Sequence, residues 1–504
     1  MRYCYRQLAA YVSVWMVCCG CSDGGIGSLL GFKGREPLPE SGSSVIAKLQ
    51  QSSAELETNP VRVGAQSNWK AIALGAQHLF AVNTSGELFA GVLPASSQNN
   101  TAIHLVAILS DLPVTKDLKI RFSATQACIG FDGDQLFCGP LSDNPLQPAY
   151  LQRVGGGASV RNWDLQNSAL CLITTAGSLS CTQLPQDAAQ ASFVRQEASE
   201  SKWSHVQVGD SSVCATRSKS SDDIGLFCGA LPRDNASAVE LTEVAKKVEW
   251  SPDGFRISGR FICARAAMSL HCGLAPTGLG QSSKMSNLTQ VSIDDNNLFA
   301  MQVSPRGEVR LCAYDAPELK CAVLETQGSS LKTPVSFKQT FKGGPASSEG
   351  SKLYLAGNHV WIGVDGQVSA ANDDSRTGSW YQANLGLAIG LQLKAVSENA
   401  PLYWSRIYPS LNGYAYVLQK ASAADSQYTL WAKSLTEVFA KINKPQGAAD
   451  NTWYYDPDNP SFGTSHNWAC GLRQEGTVSG TNSLWCWTHG TVKWADVPTI
   501  PQQQ

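Results

Sequence analysis

A chain of 504 residues with 43% hydrophobic and 16% charged residues has apolar matter for a large core, which excludes wholesale disorder. Its 39 Lys and Arg balance 41 Asp and Glu for a net charge of −2, and no basic run stands out, so nucleic acid is excluded as a partner. Length alone permits two to four domains or one repeat array.

Residues 1–20 read as an address. Arg2 and Arg6 form a positive start, and Leu8 to Gly20 form an apolar stretch too short to span a bilayer. Cys18-Cys19-Gly20 ahead of Cys21 resembles a bacterial lipobox, although Cys18 stands where Leu is usual. The resemblance implies cleavage before Cys21, diacylation of that cysteine as the mature N-terminus, and a mature protein held on a membrane of the bacterial cell envelope. Ser22 in second place is compatible with the outer membrane or cell surface. An ordinary cleaved signal and an uncleaved anchor are the alternatives. Residues 21–59, rich in Gly, Ser and Pro, read as a flexible tether, with a short helix possible over 45–57. Residues 60–498 are expected to form one repeat domain.

Twelve of the 16 cysteines lie in that domain and fall into six close pairs. They are Cys128 with Cys138, Cys171 with Cys181, Cys214 with Cys228, Cys263 with Cys272, Cys312 with Cys321, and Cys470 with Cys486. No pair has the two-to-four-residue spacing of zinc ligands. The wider spacing found here suits thiols facing each other across a β-hairpin, where Cα atoms sit within disulfide range. Export would oxidise them.

The hairpins share one grammar: Cys, small or apolar residues, a polar turn, Leu, one residue, Cys, as in ACIGFDGDQLFCG (127–139) and LCLITTAGSLSC (170–181). Three further segments fit with the thiols replaced. Phe80 and Ala90 occupy the two positions in HLFAVNTSGELFAG (78–91), Trp361 and Ala370 in VWIGVDGQVSA (360–370), and Tyr416 and Ala432 in AYVLQKASAADSQYTLWA (415–432). A ring over a methyl group is expected to fill the space of each missing disulfide. First positions then fall at Phe80, Cys128, Cys171, Cys214, Cys263, Cys312, Trp361, Tyr416 and Cys470. A near-regular period of this size leaves room for four short strands per unit. That predicts an all-β chain and a β-propeller with intra-blade disulfides.

NWKAIALGAQH (68–78) and KWSHVQVGDSSVC (202–214) both read Trp, two residues, Ile or Val, two residues, Gly. With the Gly-x-Leu-x-Cys-Gly ending, this resembles the repeats of the regulator of chromosome condensation family, most closely its secreted bacterial members. That family usually has seven blades, whereas nine hairpin units are countable, so seven to nine four-stranded blades are expected. The resemblance implies a protein-binding propeller face, as some secreted relatives use, and not the nucleotide-exchange or chromatin roles of nuclear members.

Chemistry is sparse. His78 and His359 share one repeat position, and none of the seven histidines has metal-ligand spacing. Asp222-Asp223, Asp294-Asp295, Asp373-Asp374, Asp456 and Asp458 miss the calcium-loop pattern. No cofactor, metal or catalytic residue is assigned. Residues 353–504 hold nine of 14 Trp and nine of 14 Tyr. Of these, Trp380, Tyr381, Trp453, Tyr454 and Tyr455 lie between hairpins and are the candidate partner-binding residues, with inter-blade packing as their alternative role. The expected function is an extracytoplasmic, membrane-anchored protein that recognises a protein or glycan partner. The alternatives are a propeller hydrolase or lyase acting on carbohydrate and a purely structural envelope protein.

Overall fold

A computed structural model describes the strands and shorter connections between residues 61 and 489. The leader, Cys21, the tether and segment 45–57 lie outside the described residues, as do 490–504. No helix occurs among the described residues.

The sequence builds nine four-stranded antiparallel sheets in succession among the described residues. Blade 1 shows the plan, with strands Trp69–Leu74, His78–Asn83, Leu88–Val92 and Val106–Leu109 in spatial order. Blades 2 to 5 begin on Leu118–Phe122, Val160–Gln166, Trp203–Val208 and Trp250–Ser258. Blades 6 to 9 begin on Leu298–Val303, Ser351–Ala356, Tyr403–Pro409 and Phe462–Thr464. First strands of consecutive blades touch one another from blade 2 to blade 9, and the first strand of blade 9 touches that of blade 1. They are the innermost strands, converging on an axis. Every countable hairpin is therefore a full blade, and the ring has nine blades where the resemblance implied seven.

The ring closes through its N-terminus. Val61–Val63 pairs antiparallel with Asn482–Thr488, Val61 opposite Cys486 and Val63 opposite Leu484. It serves as the outermost strand of blade 9, whose other strands are Phe462–Thr464, Trp468–Gln474 and Asn482–Thr488. The two ends of the domain thus share one sheet, and opening the ring requires breaking that sheet.

All six cysteine pairs form disulfides between the second and third strands of a blade. Cys128 bonds Cys138, Cys171 bonds Cys181 and Cys214 bonds Cys228. Cys263 bonds Cys272, Cys312 bonds Cys321 and Cys470 bonds Cys486. In each, the two residues are directly opposite in the ladder, with Cα atoms 4.0 to 4.2 Å apart.

These staples also pack toward the following blade. Cys128 and Cys138 meet Trp163 and Leu165, and Cys470 and Cys486 meet Trp69 and Ile72. Cys214 and Cys228 lie in one cluster with Trp250 and Phe255, and Cys263 and Cys272 in another with Val309 and Leu311. In the chain-entropy treatment a ring of about ten residues contributes roughly 2.7 kcal/mol. Second strands are apolar on both faces because a blade covers each; His78–Asn83 and Gln126–Phe131 are buried at every position. Burial on two sides is what keeps the charged fraction low.

Two of the three thiol-free hairpins match expectation, with Phe80 opposite Ala90 and Tyr416 opposite Ala432. The third does not. Trp361 lies opposite Gln382, because His359–Gly366 pairs with Thr377–Asn384. The connection is longer than the sequence grammar suggested, and Ala370 falls within it, outside the described residues.

Glycine after the second cysteine has a steric cause. A Cβ on Gly139 would lie 1.7 Å from the Tyr150 carbonyl oxygen, and one on Gly229 would lie 2.0 Å from that of Glu240. The chain returning to the outermost strand passes against these backbones, and a side chain would push it off the sheet.

Candidate functional site

Two surfaces follow from this plan: the wall of the axis and the two faces of the ring. Innermost strands present an unpaired backbone edge to the axis, which needs partners. In blades 3 to 5 the neighbouring blade supplies them. Asn162 Oδ1 accepts from the Val206 N–H at 3.1 Å, and Asp164 Oδ2 accepts from the Val208 N–H at 2.9 Å. Gln207 spans to blade 5 with both amide atoms, Nε2 donating to the Phe255 carbonyl at 2.8 Å and Oε1 accepting from the Ile257 N–H at 3.3 Å. Lys119 Nζ donates to the Trp163 carbonyl and sits 4.7 Å from the Trp163 ring centre.

Periodicity explains the arrangement. Along an innermost strand, apolar residues such as Trp163 and Leu165 pack onto the preceding blade, and the alternating polar ones reach the next. Arg121, Asp164, Gln207 and Arg256 share one tier, each opposite the first cysteine of its blade. Each also lies seven residues ahead of that cysteine, a signal present in the sequence that the hairpin grammar did not include. Burial, then repulsion from Arg121, lowers the Lys119 ammonium to about 8 against the pull of Asp164. Arg121 Nε stands 3.9 Å from Asp164 Oδ1 with its side chain 56% exposed.

Strand direction sorts the loops. First and third strands of every blade run toward the same face, so first-to-second and third-to-fourth connections share it. Among the described residues, the exposed large apolar side chains are Leu146 (80%), Tyr150 (54%), Val303 (42%) and Val323 (41%). Leu146 and Tyr150 lie between the third and fourth strands of blade 2. Val303 ends the first strand of blade 6, and Val323 nears the end of its third strand, Glu318–Leu324. All four belong to that one face. Blade 6 adds a small hairpin there, Thr326–Gln327 against Ser330–Leu331. Its fourth strand covers only Leu319–Cys321, and beyond this Ala322–Leu324 borders a cavity of about 330 Å³ also lined by Glu325, Lys332 and Val335.

The aromatic candidates sit elsewhere. Trp453 is buried, 3% exposed, with its ring 5.5 Å from that of Trp487 in an edge-on arrangement and its backbone bridged to Arg473. It is a packing residue of blade 9 and not a contact for a partner. The turn-rich sequence around it hid that role, since the indole fills a gap beside the blade. Tyr454 is half-buried, packs with the cluster of Trp69 and Ile72, and donates its N–H to the Leu472 carbonyl. Trp380 and Tyr381 lie within the third strand of blade 7, opposite Gly363 and Ile362, and not between hairpins. Tyr455 lies outside the described residues.

His78 and His359 both open a second strand and are buried; His78 Nε2 donates to the Ser142 carbonyl of blade 2 at 3.0 Å. Tyr416, in a cysteine position, is held by blade 9. Its hydroxyl and His489 Nδ1 are 2.6 Å apart, His489 Nε2 donates to the Ser465 carbonyl at 3.1 Å, and Trp487 Nε1 donates to the Tyr416 oxygen at 3.3 Å. These contacts use all three groups in joining two blades. Among the described residues, no three His, Cys, Asp or Glu side chains gather as a metal site.

No protein-family model matches this chain, and no curated protein matches it. Among solved structures it is similar to Prp20p from Saccharomyces cerevisiae, described with its binding to Gsp1p and histones, at 9% identity over 61% of this chain and 87% of that one, TM-score 0.33. It is similar to the WD40 domain of SCAP from fission yeast at 10% identity over 86% and 98%, TM-score 0.41. A third likeness is to dihydro-heme d1 dehydrogenase NirN at 11% identity over 78% and 80%, TM-score 0.42. At these values the likenesses carry no residue-level correspondence, and the strand order itself makes the chain a propeller.

Proposed function

We propose that this chain is a lipid-anchored, extracytoplasmic β-propeller that binds a protein partner through one face of its ring. The supporting observation is that Leu146, Tyr150, Val303 and Val323, the exposed large apolar side chains among the described residues, all lie on the face of the first-to-second and third-to-fourth connections. Aromatic and aliphatic anchors of this kind are what interfaces bury. Asn162, Asp164 and Gln207 on the inner wall are engaged in blade-to-blade hydrogen bonds, a holding role, which favours a scaffold over an enzyme. Acylated Cys21 and the tether 21–59 hold the ring at the bacterial cell envelope, on the outer membrane or cell surface.

The test is capture from envelope extracts with the mature body as bait. Leu146→Asp with Tyr150→Asp should lose the captured protein at least tenfold while the unfolding midpoint stays put, because both side chains are exposed. Protease treatment of the extract should abolish capture. Capture that survives protease would assign a glycan. Loss only on Trp380→Ala with Tyr381→Ala would move the interface to blade 7. Either result contradicts this reading.

A further inference from the structure

Charge is even across the whole chain, 39 Lys and Arg to 41 Asp and Glu, yet it is not even at the axis. The innermost strands carry Lys70, Lys119, Arg121, Arg161 and Arg256, with Lys352 at a register position in blade 7 and Arg406 where the register of blade 8 is interrupted. Against these seven cations stand two carboxylates, Asp164 and Asp253. Such an excess within a neutral chain is a local property of the wall.

Structure separates the roles of these groups. Asp164 accepts the Val208 N–H, so much of its charge serves the next blade. Lys119 is turned to the Trp163 carbonyl. Arg121 is 56% exposed beside Asp164, and Arg256, exposed on the same tier three blades on, donates from Nη1 to its neighbouring Phe255 carbonyl at 2.7 Å. Lys70 and Arg161 occupy the extra residue where the register of blades 1 and 3 slips by one, a bulge that turns a side chain out of strict alternation. Guanidinium forks on a shared tier, with few carboxylates among them, match ligands presenting carboxylate or phosphate oxygens. Low-dielectric walls focus the field of such a channel.

We propose that the axis of this ring is a binding site for multiply charged anions bearing several phosphate or carboxylate groups. The site is independent of the partner face, because it rests on the innermost strands alone.

Titration calorimetry on the mature chain tests it with tripolyphosphate and with trigalacturonate as probes. At least one should bind, more weakly as salt rises from about 50 to 500 mM. Preference for the first assigns phosphate, and preference for the second assigns carboxylate. Arg121→Gln with Arg256→Gln should weaken binding by about tenfold or more, whereas Arg121→Lys with Arg256→Lys, which keeps the charge and loses the forks, should bind between that variant and wild type and shows that the ring folds. An anion beside Lys119 favours its charged form, so binding near pH 8 should take up protons. The outer pair Lys332→Gln with Lys338→Gln should bind as wild type. Failure of both probes, equal binding by the Gln pair, or equal loss in the outer pair would overturn the proposal.

Discussion

Blades 2 to 6 and 9 carry a disulfide where blades 1 and 8 carry an aromatic residue opposite alanine in the ladder. The position is one and the same: the second strand's side chain facing the following blade. A disulfide there limits the unfolded chain; a ring there acts only in the folded one, by burial and close packing. Phe80 is wholly buried against Ala71, Leu118 and Ala127, and its ring meets Phe122 of blade 2 edge-on at 5.0 Å. Tyr416 adds hydrogen bonds to the same kind of packing. An unstapled blade therefore depends on its neighbour more than a stapled one, which has its own covalent hairpin.

The contrast breaks most visibly at Phe80. Phe80→Ala leaves a cavity between blades 1 and 2 and should cost about 3–5 kcal/mol in denaturant unfolding; a cost under about 1 kcal/mol would mean that the ring is a spacer and not a staple's substitute. Removing one staple is next in size. Cys171→Ala with Cys181→Ala should cost at least about 2.7 kcal/mol, and more because the disulfide also packs against Trp203, while leaving the other five disulfides intact by mass; a cost under about 1 kcal/mol would contradict both roles.

Much of the blade register was legible because cross-strand pairing admits few solutions. Cysteines so close in sequence, such as Cys214 with Cys228 or Cys263 with Cys272, meet most simply across a hairpin. Phe80 and Tyr416 inherited that register with their alanines. Trp361 escaped because its connection is longer and the local alanine proved a decoy. Ring closure was invisible: Val61–Val63 is a very short strand, and its partner lies at the far end of the domain. The binding candidates failed at Trp453 for a physical reason, since turn-forming neighbours do not report whether an indole lies outward or against Trp487. The apolar residues of the shared face were equally hidden, because exposure of Leu146 or Val323 depends on blades that cover one side and not the other.

The smallest effect concerns the polar counterpart of these interfaces. Lys119 has a folded value of about 8 against an ordinary 10.5, so between those values the unfolded chain binds more protons than the folded one. Stability contributed through this group should therefore rise as pH goes from about 8 to 10.5. Lys119→Met should flatten that rise, read as the unfolding midpoint against pH; an unchanged slope would place the ammonium in water and not against Trp163.

Closure of nine blades by the N-terminal strand is tested most directly by a covalent link across it. Arg62 and Trp485 lie directly opposite each other in the shared sheet. In the oxidised mature protein, Arg62→Cys with Trp485→Cys should give a seventh disulfide, seen by mass as one fragment joining the two positions, with the six native bonds retained. Two free thiols at these positions in the folded protein would contradict the closure and the nine-bladed ring with it.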